Sequence, residues 1–325
     1  MILIYSFEED HSTNEVVKWL NYLEVPFLRI NKFQDISTYF LSQDDGNSDG
    51  FNFSLKTEGI SAVWYRKNPK NIVFEHEDPI VDADLLTIGY NEARVIYNYL
   101  NEELNDRYWL NHPSSSSPNK LSVLKKAQQA GLKIPPTLVT KHKSELELFY
   151  RKHKSIITKP LFEVTKVKDN NGNTYMSRTV EISREEINES ADIFYASLFQ
   201  KNIEKKFEVR MVYLEGTIYS MAILSQQSEE TKIDFRVYNI DFPNRLCAIN
   251  VPEEISIGVD KLMKKMNLNF GSIDFMVDNN GEYYFLEINP VGQFGMTSTP
   301  NNYNIERKVA EILKDNHERY ERRKN

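Results

Sequence analysis

The chain has 325 residues, 40% hydrophobic and 27% charged, with a formal charge of -7. This is the composition of a folded globular protein with more than one core, and its acidic balance supplies no basic field for a nucleic-acid backbone. The single cysteine, Cys247, excludes an internal disulfide and a cysteine-built zinc site. The opening MILIYSF is too short and too uncharged at its start for a signal peptide, and no later apolar run approaches a membrane span. A cytoplasmic protein with neither nucleic-acid nor membrane partners is expected, with Lys201, Lys205 and Lys206 as local anion contacts.

Residues 2 to 7 read as a buried strand and 13 to 23 as an amphipathic helix through Val16, Val17, Leu20 and Leu23. FLRIN then gives a second strand, completing a βαβ opening. AVWYRKN (62 to 68) is a further strand, a helix spans about 80 to 104, and NHPSSSSPNK marks a boundary near residue 111. Beyond it, Asn119 or Ser122 caps a helix running to Gly131, and KIPPTLVT enters a strand. Helix 144 to 153, strand SIITK, a hairpin turning at DNNGN (169 to 173), helix 183 to 198 and strand LFQKNI follow. From Phe207 the pattern changes to long strands, FEVRMVYLEGTIYSMAILS, turning at Glu215 and Gly216. A helix at 252 to 267, the hairpin GSIDFMVDNNGEYYFLEINP and a charged helix at 304 to 322 close the chain. Three segments are expected: 1–111, 112–203 and 204–325.

The final hairpin carries the chemistry. Strand alternation puts Tyr283, Phe285, Glu287 and Asn289 on one face, and Leu286 and Ile288 on the other with Ile273 and Phe275. A two-residue loop at Asn279 and Asn280 would set Asp274 opposite Phe285, a diagonal step from Glu287. Two carboxylates and an amide oxygen suit a hard cation such as Mg²⁺ shared with phosphates. The same residues also fit the wet face of an edge strand. Glu208 and Arg210, two apart, share a face in the same way.

In these residues the sequence resembles the ATP-grasp ligases. The closing hairpin is similar to that superfamily's metal hairpin, which implies that Asp274, Glu287 and Asn289 hold two Mg²⁺ ions against ATP. SPNKLSVLKKAQQAGLKIPPTLVT resembles the entry to the ATP domain and implies Lys120 as the first phosphate lysine; SIITKPL implies Lys159 as the second. FQKNIEKKFEVRMVYLEGTIYSMAI resembles the hinge and the hairpin after it. By that resemblance Gln200, Lys201, Asn202 and Ile203 line the adenine, Glu208 reaches the ribose and Arg210 the phosphates. One departure is that no glycine follows Lys159 until Gly172, so the usual glycine-rich phosphate lid is missing. The opening also lacks the G-x-G-x-x-G of a dinucleotide site.

A narrower resemblance runs through YSFEEDHSTNEVVKWL, RINKF, VWYRK, TKIDFRVYN and LEINPVGQFGM. These segments are similar to the maturases of graspetides, ribosomally made peptides with ω-ester links, of the grasp-with-spasm type. The resemblance implies an α/β chain with an N-terminal pre-ATP-grasp βαβ domain, a small central domain and a C-terminal ATP-grasp domain on an antiparallel sheet. It implies a precursor peptide as partner, with a leader and a core rich in Thr, Glu and Asp. The leader would dock near helix 183 to 198 and the hairpin near 211 to 235. Carboxylates of the core would be phosphorylated by ATP and attacked by Ser or Thr hydroxyls, or by Lys. Arg210 and Arg236 would act on the reacting carboxylate, with Asp234 beside Arg236 and Arg66 as a further peptide contact. A homo-oligomer fits these expectations. Two other readings stay open: a ligase adding a free amino acid to a peptide or protein terminus, and a non-catalytic nucleotide- or peptide-binding module.

Overall fold

The computed structural model describes residues 1–31, 57–67, 83–162, 166–168, 173–176, 179–225 and 244–324. The chain forms two compact units: Met1–Ser116 with Pro290–Asn325, and Ser117–Asn289. This differs from the three-segment division read from the sequence, because residues 290 onward return to the first unit and the central and C-terminal segments form one unit. The return has a simple cause in the last helix: Ile305, Val309, Ala310 and Leu313 recur at helical spacing and are fully buried.

The first unit contains β1 (Ile2–Tyr5), α1 (His11–Tyr22), β2 (Phe27–Ile30), β3 (Ala62–Tyr65), α2 (Ala83–Glu103) and β4 (Tyr108–Leu110). Its four strands form a parallel sheet in the order β2-β1-β3-β4. Every residue of β1 and β3 is buried, as strands covered on both faces must be, which is why they read as unbroken apolar runs. The short β4 was not anticipated, since three residues carry too little periodicity to detect.

The second unit starts with α3 (Lys120–Gln129), whose cap Asn119 accepts from the backbone N–H groups of Leu121 and Ser122. It continues with β5 (Thr137–His142), α4 (Lys143–His153), β6 (Ile156–Lys159), β7 (Lys166–Lys168), β8 (Thr174–Met176), β9 (Val180–Glu181), α5 (Arg184–Glu189) and β10 (Ile193–Lys201). Strands β5-β10-β6-β9 form one sheet, and β7 pairs antiparallel with β8. The expected helix 183 to 198 is corrected here. A capping box at Ser183 and Glu186 starts α5, but the helix stops at Glu189, and Ile193 onward is strand. The β-branched and aromatic residues in IFYASLF favour a ladder, where they pack across strands, over a helix that would restrict their rotamers.

A second sheet, β13-β12-β11-β14-β15, is built from β11 (Lys205–Leu214), β12 (Thr217–Leu224), β13 (Arg245–Ala248), β14 (Phe270–Asp278) and β15 (Tyr283–Asn289). Between β13 and β14 lies α6 (Glu253–Lys265). Odd-numbered side chains of β11 and β14, among them Val209, Met211, Ile273, Phe275 and Val277, pack with Val123 and Leu124 of α3 and Val259, Leu262 and Met263 of α6. Burying each such side chain contributes about 1.5–3 kcal/mol, so this layer fixes which face of the sheet is left for polar work. After β15 the chain enters the first unit through α7 (Gly295–Ser298) and α8 (Ile305–Lys324).

Candidate active site

The even-numbered face of β11 and β14 carries Glu208, Arg210, Asp274 and Met276, and register decides what β15 adds to it. The loop after β14 has three residues: Asp278 N–H donates to the Glu282 carbonyl, and Gly281 takes a left-handed φ of +84°. That loop puts Phe285 opposite Phe275, not opposite Asp274 as the shorter loop would have. Continued unbroken, the ladder would send Glu287 into the core. A bulge at Leu286 intervenes, so Glu287 lies directly opposite Asp274 and Asn289 opposite Ser272. Tyr283 and Phe285 consequently pack in the core, while Leu286 joins Glu287 on the open face; the sequence assigned all three to the wrong side.

Glu208, Asp274, Met276, Leu286 and Glu287 open onto a cleft within the second unit. Its polar walls are Lys159 from the end of β6, Gln200, Lys201 and Asn202 from the crossing between β10 and β11, and Glu208, Asp274 and Glu287. Its apolar walls include Ile157, Ile203, Met276 and Leu286. Of these, Ile157 and Met276 were not singled out in the sequence, where strand parity with Lys159 and Asp274 could have marked them; Leu286 reaches the wall only through the bulge, which parity does not show.

Arg210 stands opposite Asp274 and holds it with two bonds, Nε to Oδ1 and Nη2 to Oδ2, each 2.8 Å. Gln200 is buried, and its Nε2 donates to Thr137 Oγ1 at 2.9 Å. Asn202 Nδ2 donates to Ser155 Oγ at 3.2 Å, tying the crossing to the start of β6. Lys205, grouped by sequence with anion contacts, is instead buried in an ion pair with Glu208. Lys120 sits at the first turn of α3 and donates to the carbonyls of Pro160 (2.9 Å) and Phe162 (2.7 Å), just past Lys159, and does not line the cleft. Asn289 is exposed at the end of β15, also outside the lining. Asp234 and Arg236 lie outside the described residues.

Arg66, expected as a peptide contact, is not on a surface. It is buried in the first unit, where Nε donates to Asp10 Oδ2 at 3.3 Å and Nη1 to the Gly292 carbonyl at 3.1 Å. Its guanidinium lies over the rings of Trp64 and Phe294. Asp10 caps α1 and also accepts from Gln293 Nε2 at 3.0 Å and Thr13 Oγ1 at 3.0 Å. Burial alone would raise the Asp10 carboxyl, but the Arg66 charge and the bonds from Gln293 and Thr13 outweigh it and hold it below the usual carboxylate range.

The donor set Asp274, Glu287 and Asn289 is all oxygen, which fits a hard divalent cation and not a thiolate- or imidazole-seeking metal. Among the described residues no three His, Cys, Asp or Glu side chains gather into a metal cluster, so the amide of Asn289 or ligand oxygens would complete the shell. No helix among the described residues is long and apolar enough to cross a membrane.

A parallel-sheet first unit, followed by two antiparallel sheets with a cleft lined by a lysine, a hinge crossing and facing carboxylates, matches the fold of the ATP-grasp ligases. No protein-family model matches the chain, and no curated protein does. Solved structures do. A RiPP-associated ATP-grasp ligase of Chryseobacterium gregarium, in complex with ADP and a leader and core peptide, is 27% identical over 97% of this chain and 96% of its own, with a TM-score of 0.81. The macrocyclase MdnC of Microcystis aeruginosa, bound with precursor peptide MdnA, is 25% identical over 97% and 99%, with a TM-score of 0.79. The ATP-grasp ligase PsnB, complexed with a phosphomimetic variant of its minimal precursor, Mg and ADP, shares the fold at 16% identity and a TM-score of 0.70.

Proposed function

We propose that this protein is an ATP-dependent, ADP-forming peptide macrocyclase that joins side chains within a ribosomally made precursor carrying a leader and a core. The observation that carries the reading is the cleft in which Lys159, the Gln200–Ile203 crossing, Glu208, Asp274 and Glu287 meet, on the fold of ligases that bind such peptides.

A side-chain carboxylate does not react with a hydroxyl until one oxygen becomes a good leaving group. ATP provides this: the carboxylate oxygen attacks the γ-phosphorus, ADP leaves, and a Ser or Thr hydroxyl then attacks the acyl phosphate and expels phosphate, giving an ester. A Lys amine would give an amide by the same route. Ile157, Ile203, Met276 and Leu286 offer apolar contact to a purine, and Glu208 accepts from ribose hydroxyls. Lys159 places a point charge near the phosphates, with Lys120 one short segment away at the carbonyls that follow it. Asp274, Glu287 and Asn289 would hold Mg²⁺, two ions by family resemblance, which when bound neutralises charge on the transferring phosphoryl group. Arg210 stabilises the anionic carboxylate and acyl phosphate, and its hold on Asp274 sets where the guanidinium sits. Arg236, with Asp234, is the second guanidinium we assign to the incoming carboxylate. We assign no general base; positioning and a reactive acyl phosphate do that work.

The test is mass spectrometry with ATP, Mg²⁺ and the cognate precursor. Each link should lower the peptide mass by one water, and ester links should reopen in mild alkali. A mass gain equal to an amino-acid residue, or ATP turnover indifferent to peptide, would overturn the reading.

A further inference from the structure

Lys205 and Glu208 are three apart on β11, a spacing that in a regular strand sends two side chains to opposite faces. The ladder is irregular at that point: Lys205 is opposite Asp278 and Phe207 opposite Val277, leaving Lys206 as an extra residue. This bulge shifts the parity by one and brings Lys205 Nζ onto Glu208 Oε1 as a direct ion pair. Both residues are buried, at 5% and 4% exposure. Glu208 is a wall of the cleft, whereas Lys205 is not among its walls.

An ammonium is costly to bury, and a surface glutamate needs no such partner to stay charged. The ion pair restricts Glu208 to one side-chain placement in the cleft wall. An ionised carboxylate has about four lone-pair sites, so Glu208 can keep Lys205 and still accept from ligand hydroxyls. We infer that Lys205 is a positioning residue: it acts through Glu208 to set recognition of the ribose hydroxyls, and does not touch the nucleotide. The inference rests on the proposed ATP site and extends it to a residue behind the wall.

Calorimetric titration of the full chain with ADP and with 2′,3′-dideoxy-ADP tests it. Wild type should prefer ADP by on the order of 10- to 100-fold, as hydrogen bonds to a charged acceptor allow. Lys205→Met should lose about tenfold of that preference while its affinity for dideoxy-ADP stays within about twofold of wild type. Lys205→Arg, which keeps a cation against Glu208, should recover the preference. Where Lys205→Met does not fold, the double variant Lys205→Met/Glu208→Gln, with no charge left buried alone, carries the measurement: its preference should equal that of Glu208→Gln. An unchanged preference in Lys205→Met, or a further loss in the double variant, would overturn the inference. Equal losses for both nucleotides would do the same by moving Lys205 to the phosphates. A wild type that binds both nucleotides equally removes Glu208 from the ribose, and one that binds neither removes the ATP reading itself.

Discussion

Arg210 and Asp274 are direct partners across β11 and β14, and the guanidinium meets both carboxylate oxygens at 2.8 Å. The pair is about 85% buried, so its geometry is held by the sheet and not by chance surface contact. Asp274 thus holds the arginine, and in the proposed function it would hold the cation as well. Lysine at position 210 would keep the charge but lose the planar fork. Arg210→Lys should fold normally by circular dichroism while peptide turnover falls about 10²-fold, the usual cost of removing one pre-placed donor.

Glu287 faces Asp274 only because of the bulge at Leu286. Glu287→Gln keeps shape and removes one negative charge from the proposed cation set. ADP production should fall by about 10²-fold and shift to higher Mg²⁺, with nucleotide still binding. Near-native ADP production at limiting Mg²⁺ would remove Glu287 from the metal site.

The Asp10–Arg66 pair predicts how stability depends on pH. Asp10's pKa is lower folded than unfolded, so its contribution is fully present above about pH 4 and is lost as pH falls through the lowered value. Asp10→Asn removes the carboxylate that the buried Arg66 Nε meets, and breaking this buried ion pair should cost about 3–5 kcal/mol at neutral pH. In urea titrations from pH 7 downward, the gap between wild type and variant should narrow below about pH 4. A gap that stays constant would show that the carboxylate's charge contributes nothing.

Much of this was legible before the structure. Val16 and Leu20 mark α1, Asn119 caps α3, and Glu215–Gly216 turns β11 into β12, because each rests on local chemistry. Glu208, Asp274 and Glu287 were placed in one site through strand parity and family resemblance. What parity could not supply was register. Gly281 lengthened the loop by one, Leu286 bulged, and these two shifts restored Glu287 to the open face while reversing Tyr283 and Phe285. Bulges are settled by packing across the sheet, not by the residues alone, and the one at Lys206 hid Lys205 in the same way. Arg66 was misread because a cation after a strand looks exposed until its partner, Asp10, arrives from 56 residues away.

The order of synthesis follows from how the first unit is assembled. Its opening segment, Met1–Ser116, emerges from the ribosome long before Pro290–Asn325, and the whole of Ser117–Asn289 is made in between. Yet α8 packs on α1 and β3, with Arg307 over the Trp19 ring and Ile305, Val309, Ala310 and Leu313 fully buried. The second unit can therefore complete its own core on the nascent chain, while the first must wait, its apolar surface uncovered, until the last helix is released.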